Sequence, residues 1–323
     1  MTSTTTRPDL EARLEDHRTE LTAFAYRMLG SAFEAEDAVQ ETFLRAWRGL
    51  DRFEGRSSLR SWLYRIATNV CLDMLGGAER RARPMDLGPA GVADERLLGE
   101  PLPEVTWVEP VPDGRVLPSG DPAEVAEARE TVRLAFVAAL QHLPPRQRAV
   151  LILREVLRWK ASEVAELLDT SVASVNSALQ RARATLSSAD LSAEALRPLD
   201  ADQRALLARY VDAFERYDMD ALTALLHRDA HWNMPPYPLW LRTHGDIVGW
   251  CLGPGIGCQG SRLVPLEANG SPAFGQYKPG PSGLEPWSLQ VLEISGDRLA
   301  GITFFLDTER LFPLFGLPPR FEG

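Results

Sequence analysis

The segment Lys160–Arg183, KASEVAELLDTSVASVNSALQRAR, constrains the fold of this chain more than any other stretch. Val164, Leu167 and Leu168 make a short apolar face, and Asp169, Thr170 and Ser171 interrupt it. Val172, Val175, Leu179 and Leu186 then resume it at helical spacing. Two short amphipathic helices joined by a tight break read as a helix-turn-helix. Ser174, Asn176, Ser177, Gln180, Arg181 and Arg183 fall on the solvent side of the second helix. Short polar side chains ending in arginines suit entry into a major groove, where Asn, Gln and Arg read base edges and Arg grips phosphate. An ordinary helical hairpin with a solvated face satisfies the same pattern, so other parts of the chain must decide.

The charge distribution is uneven. The net charge of -10 argues against a general nucleic-acid coat. Residues 85–128 carry 2 basic and 10 acidic side chains, whereas residues 129–190, with the helix-turn-helix, carry 9 and 6. A chain of 323 residues implies two or three domains. Cys71, Cys251 and Cys258 have neither metal-ligand spacing nor the number for a disulfide framework, and Cys71 reads as a small core residue. No apolar run is long enough for a membrane span, and the N-terminus lacks a signal-peptide core. A cytoplasmic protein with no membrane contact, no cofactor and no metal is expected.

Residues 10–84 are helical in pattern. Leu21, Phe24, Ala25 and Met28 form one stripe; Val39, Phe43, Ala46 and Trp47 a second; Leu59, Trp62, Leu63, Ile66 and Val70 a third. Residues 85–124 mix Pro, Gly and acids without periodicity and read as an extended, mobile linker. Helical pattern resumes over 125–190. From 198 to 323 helices come first, around Leu206–Phe214, Leu222–Leu226 and Asp246–Leu252. Strand-like runs follow at Arg262–Glu267, Ala273–Tyr277, Trp287–Ile294 and Leu299–Leu306. The chain is therefore multidomain, with two all-α domains followed by an α+β domain.

Two blocks together resemble an extracytoplasmic-function sigma factor. The first is AEDAVQETFLRAW (35–47) with FEGRSSLRSWLYRIATN (53–69); the second is LPPRQRAV (143–150) with the helix-turn-helix. The resemblance implies a region 2 domain over 10–84 and a region 4 domain over 125–190. Asp37, Gln40, Glu41 and Arg45 would then dock on core RNA polymerase, projecting opposite Val39, Phe43 and Trp47. Arg56, Ser57, Ser58, Arg60, Arg65 and Asn69 would hold the opened promoter strand, offsetting the few kcal/mol that base extrusion costs. Many relatives carry cations where Asn176 and Ala178 stand here, which implies a weaker or differently tuned grip on the upstream element.

The order of elements in residues 198–323, with ALLARYVDAFERY (205–217), resembles the SnoaL-like cone fold of the nuclear transport factor 2-like superfamily. That resemblance implies a curved, mainly antiparallel sheet around a pocket. His231, Trp232, Trp240 and Trp287 are its lining candidates, with His244 and Asp246 as further titratable groups and a small molecule as candidate ligand. Fold does not transfer function, so regulation in cis is expected rather than catalysis. Two other readings remain: a ligand-responsive helix-turn-helix regulator acting without polymerase, which would have no use for the 35–47 block, and a cone-fold cyclase or isomerase, which lacks a clear acid–base pair.

Overall fold

The computed structural model describes residues 13–50, 53, 57–77, 79–187 and 201–321, and the chain divides into two compact units. Arg56 and the first residues of the expected C-terminal domain, 198–200, lie outside the described residues. The first unit holds residues 1–81 and 114–192; the second holds 82–113 and 193–323.

In the first unit, α1 (Arg18–Leu29), α2 (Ala32–Gly49) and α3 (Leu59–Met74) pack around Leu21, Phe24, Met28, Val39, Leu63, Tyr64 and Cys71. Gly30 ends α1 in the left-handed conformation at φ 76°, which glycine adopts without a Cβ penalty. Ser31 caps α2 by accepting a bond from Glu34 N. The second stripe is only partly core: Phe43 is half-buried and Trp47 is exposed.

The helices α4 (Pro122–Val132) and α5 (Leu134–Gln141) are separated by a break at Arg133, where one continuous pattern was read. Helix α6 (Pro145–Leu151) runs on into a π-helical turn, Ile152–Val156. The helix-turn-helix is α7 (Ala161–Leu167) and α8 (Val172–Leu186). Asp169 makes its turn at φ 49°, and Ser171 caps α8 by accepting from Ser174 N.

Regions 2 and 4 form one body. The second arginine of LPPRQR, Arg148, is buried; it donates to Met28 O at the end of α1, to Gln141 Oε1 at 2.5 Å, and to Gln141 O and Leu143 O at 3.2 Å. Helix α1 leaves its last carbonyls without intrahelical partners, and this guanidinium supplies one of them. Arg27 reaches Thr131 in the same way, at 3.1 Å to O and 2.6 Å to Oγ1. Burial lowers the pKa of each arginine to about 10.

The second unit is built on a six-stranded sheet of order β2-β1-β6-β5-β4-β3. The strands are β1 (Leu226–Asn233), β2 (Trp240–Leu241), β3 (Arg262–Ala268), β4 (Ser271–Gly280), β5 (Gly283–Ser295) and β6 (Arg298–Phe305). Within this sheet β1 and β6 pair in parallel and the other neighbours antiparallel. Helices α9 (Ala201–Glu215), α10 (Met219–Leu225) and α11 (His244–Leu252) join an apolar core with Trp232, Phe274, Leu292, Ile302 and Phe304; α12 (Thr308–Leu314) closes the chain. Strand β1 was not foreseen: its polar LHRDAHWN pairs with distant β6, and tertiary pairing overrides weak propensity.

The segment read as a mobile linker is folded. Gly91 N donates to Trp240 O and Leu102 N to Pro236 O, on the β2 side of the sheet. At the other edge Asn269 and Val111 exchange two bonds, Asn269 N to Val111 O at 3.1 Å and Val111 N to Asn269 Oδ1 at 3.0 Å. Gly270 N donates to Asp113 Oδ1 at 2.7 Å. Arg310 on α12 pairs with Glu104, with Glu109 at 3.2 Å and with Asp307 at 3.2 Å. Composition suggested disorder because the segment lacks periodicity, yet these backbone bonds and Trp107, Val108 and Val111, all buried, tie it down. It is called the strap below.

Candidate nucleic-acid interface

Helix α8 presents the face expected of a recognition helix. Val175, Leu179 and Ala182 are buried, while Ser174, Asn176, Ser177, Gln180, Arg181 and Arg183 are all exposed. Arg183 is held by Glu155 at 2.7 Å. Ser174 Oγ lies 2.9 Å from Ser171 Oγ, within the cap of the helix.

On α3, Ser58 is the N-cap and accepts from Ser61 N at 3.1 Å, so its hydroxyl is already engaged. Ser57 is half-buried and Asn69 exposed. Trp62 stacks on Phe53 with ring centroids 4.7 Å apart, a packing role rather than a free platform. Arg60 donates to Glu20 at 2.7 Å and lies over the rings of Tyr64 and Trp159 at 5.1 and 5.7 Å. Burial disfavours its charge, but Tyr64 and Glu20 outweigh that and hold its pKa above the usual arginine value. Arg65 donates to Glu166 O at 2.9 Å. Two of the arginines expected to hold single-stranded DNA are thus in contact with residues of region 4, Trp159 and Glu166.

The face of α2 carries more apolar surface than the sequence suggested. Asp37, Gln40 and Arg45 are exposed and Glu41 is half-buried; Arg45 pairs with Glu41 at 2.7 Å and Asp73 at 3.1 Å, which raise its pKa. Gln40 also lines a groove of about 310 Å³ with Leu14, Glu15, Arg18, Phe43, Leu44 and Trp47. Leu44 and Trp47 are 52% and 41% exposed, so Phe43 and Trp47 share a groove with Gln40 instead of lying wholly opposite it. Their exposure was the missed signal: two large apolar groups on a solvated helix face invite a partner.

The four pocket candidates of the C-terminal domain are not gathered around one cavity. Trp232 is in the core, 4.5 Å from Phe304. His231, adjacent on β1, falls on the opposite face, where its ring crosses Gly301 and comes 3.4 Å from Glu293. Trp240 donates from Nε1 to Gly88 O of the strap at 2.9 Å. Trp287 lies under Lys278 Nζ, 3.1 Å from its ring centroid. Thr243 caps α11 by accepting from Asp246 N at 3.0 Å, and the Asp246 carboxylate accepts from Ala93 N at 3.3 Å; His244 Nε2 is 2.9 Å from His227 O.

The core-side face of the sheet instead holds a buried chain of amides and hydroxyls. Tyr210 donates to Gln290 at 2.6 Å, Gln290 and Ser288 donate to Gln276 at 2.9 and 2.8 Å, and Gln276 donates to Ser261 at 3.0 Å. Burial raises the Tyr210 pKa, so the phenol stays a donor. Ser288 and Gln290, alternating with Leu289 and Val291, were the sequence signal for it.

With both helical interfaces described, comparison with known proteins settles their family. Residues 14–81 match the family Sigma-70 region 2, and residues 133–186 match Sigma-70, region 4. Over 323 residues the chain is 48% identical to the ECF RNA polymerase sigma factor SigG of Mycobacterium tuberculosis, covering 97% of this chain and 85% of that one. The chain belongs to the ECF RNA polymerase sigma factors. A second relative from the same organism, the sigma factor SigJ, is 31% identical over 220 residues, covering 68% of this chain and 62% of that one. The crystal structure of Mycobacterium tuberculosis SigJ matches 98% of this chain and 100% of its own, at a TM-score of 0.60 and 22% identity, a likeness of fold. This sigma factor binds core RNA polymerase and directs initiation at specific promoters. Its two helical sigma regions are followed by an α+β domain. Among the described residues, no helix is long and apolar enough to cross a membrane.

Proposed function

We propose that this sigma factor reads the upstream promoter element with Ser174, Asn176, Ser177, Gln180, Arg181 and Arg183. In the same reading it docks on core polymerase through Asp37, Gln40, Glu41, Arg45 and the adjoining Phe43–Leu44–Trp47 groove. Arg56, Ser57, Ser58, Arg60, Arg65 and Asn69 contact the opened strand. The observation that carries this is the clean division of α8 into a buried apolar face and an exposed polar one. Arg181→Ala should abolish most transcription from the cognate promoter in a reconstituted assay while leaving core polymerase binding intact by gel filtration. Equal loss of both would refute the assignment.

Regulation in cis follows from connectivity. The chain passes from region 2 to region 4 by way of the strap, and the strap is bonded to the C-terminal domain. Extended, these 32 residues would span roughly 100 Å at about 3.3 Å per residue; docked, they cannot. When α7 leaves α3, Arg60 and Arg65 are released from Trp159 and Glu166. The C-terminal domain therefore governs how far the two regions separate, and weakening the strap's hold changes promoter activity. Substituting Arg310 by Ala, which removes the Glu104 and Glu109 contacts, tests this; unchanged transcription over a range of promoter concentrations would refute it.

A further inference from the structure

Helix α8 carries one apolar side chain that its core does not use. By helical phase Val172 belongs with Val175, Leu179 and Leu186, yet Val175 and Leu179 are buried and Val172 is 43% exposed. From Ser171 to Ser177, Val175 is the one buried residue, so the first turn of the helix is open to solvent. A single valine on a surface is ordinary. In the first unit, however, the large apolar side chains left exposed among the described residues are Leu44, Trp47 and Val172. The first two line the groove on α2. The third stands where a helix-turn-helix meets base edges, because the N-terminal residues of the second helix make those contacts.

Asn176 follows Val172 by four residues and shares its face of the helix. It is exposed, and among the described residues its amide has no hydrogen-bond partner. Other polar groups of α8 are less free: Ser174 is engaged with Ser171, and Arg183 with Glu155. Helical side chains tilt toward the N-terminus, which directs the Asn176 amide over the first turn. Valine and asparagine on one face have a specific match in the major groove. Thymine presents its 5-methyl group there, and an asparagine amide bonds adenine bidentately at N6 and N7. Guanine offers two acceptors and cytosine no methyl, so a G·C pair satisfies neither side chain.

We propose that Val172 and Asn176 together select A·T pairs in the upstream promoter element, Val172 by contact with a thymine 5-methyl group and Asn176 by bidentate bonding to an adjoining adenine. This rests on the reading of α8 as the helix that enters the groove. It adds a base identity, and a residue outside the polar face that sets it.

The test uses the full chain assembled with core RNA polymerase. Selection from duplex DNA randomised upstream of the start site yields the preferred element, which should contain A·T pairs. Deoxyuridine in place of the contacted thymine removes the methyl alone and should weaken wild-type binding about fourfold, the burial of one methyl group. Replacing the contacted adenine by 7-deaza-adenine removes N7 and should weaken it about tenfold. Val172→Ala should lose most of its discrimination between thymine and deoxyuridine and keep the 7-deaza penalty; Asn176→Ala should show the reverse. Both residues are exposed, so neither change opens the core. A selected element without A·T pairs, a wild type indifferent to deoxyuridine, or a Val172→Ala variant that keeps the full thymine preference would each overturn the proposal. Arg181→Ala distinguishes the two failures. If it is impaired while Val172→Ala is not, α8 still reads DNA and only the base identity falls; if neither is impaired, the reading of α8 falls with it.

Discussion

Replacing Arg148 by leucine tests what holds region 4 against region 2. Its guanidinium serves four acceptors, Met28 O, Gln141 Oε1, Gln141 O and Leu143 O. Orphaning buried acceptors costs about 1–2 kcal/mol each, so about 4–8 kcal/mol in total. Against this, leucine no longer carries the cost of burying a charge. The drop of the Arg148 pKa from 12.5 to about 10 puts that cost at about 3 kcal/mol, at 1.36 kcal/mol per unit. The net loss is about 1–5 kcal/mol. Arg148→Lys separates fork geometry from charge. Lysine keeps the buried charge but cannot reach both rows of acceptors, so it should destabilise at least as much as leucine. The assay is urea denaturation at neutral pH followed by helical circular dichroism. A lysine variant close to wild type, with leucine clearly worse, would refute the geometric account; both variants within about 0.5 kcal/mol of wild type would refute the role altogether.

Three further outcomes follow from single residues. A Cβ at Gly301 would meet the His231 ring at 2.0 Å, so Gly301→Ala should destabilise the C-terminal domain by about 1–3 kcal/mol, and His231→Ser in the same chain should recover most of it in thermal melts. Asn269 sits at φ 57° and accepts from Val111 N, so Asn269→Ala should lower the melting temperature and speed limited proteolysis within 82–113; unchanged proteolysis would mean that the strap is held elsewhere. Burial raises the thiols of Cys71 and Cys251 from 9 to about 12. The unfolded chain thus loses these protons first, and each thiol contributes stability that is complete below pH ~9 and lost as pH rises to ~12, up to roughly 4 kcal/mol each. Arg27 and Arg148, lowered to about 10, act in the opposite sense above that pH. Urea midpoints should fall above pH ~9, and less steeply in Cys71→Ala; an identical slope in that variant would refute the thiol contribution.

The helix-turn-helix was legible because its signal is local: apolar spacing, an Asp-Thr-Ser break and a serine cap lie within one short stretch. The sigma blocks were legible for the same reason. What sequence left hidden depends on partners far along the chain. Trp47 was placed in a core by helical phase, but phase does not say whether anything covers that side. Nothing in LPPRQRAV marks Arg148 as buried, and only the approach of Met28 O makes it a buried fork. The pocket candidates were chosen by residue type, and alternation along β1 then sends His231 and Trp232 to opposite faces.

The strap is the case in which the composition argument itself fails. A Pro- and Gly-rich acidic segment cannot bury enough apolar surface to order itself, which is the reason for expecting disorder. That argument counts only what the segment can bury against itself. Here Val111 and Asn269 complete each other's backbone bonds, and Arg310 neutralises two of its acids. The ordering entropy, about 1–2 kcal/mol per residue, is met by a surface encoded more than a hundred residues downstream. A segment of that kind is stable only while its host is folded, so the tether between the two DNA-reading regions depends on the C-terminal domain.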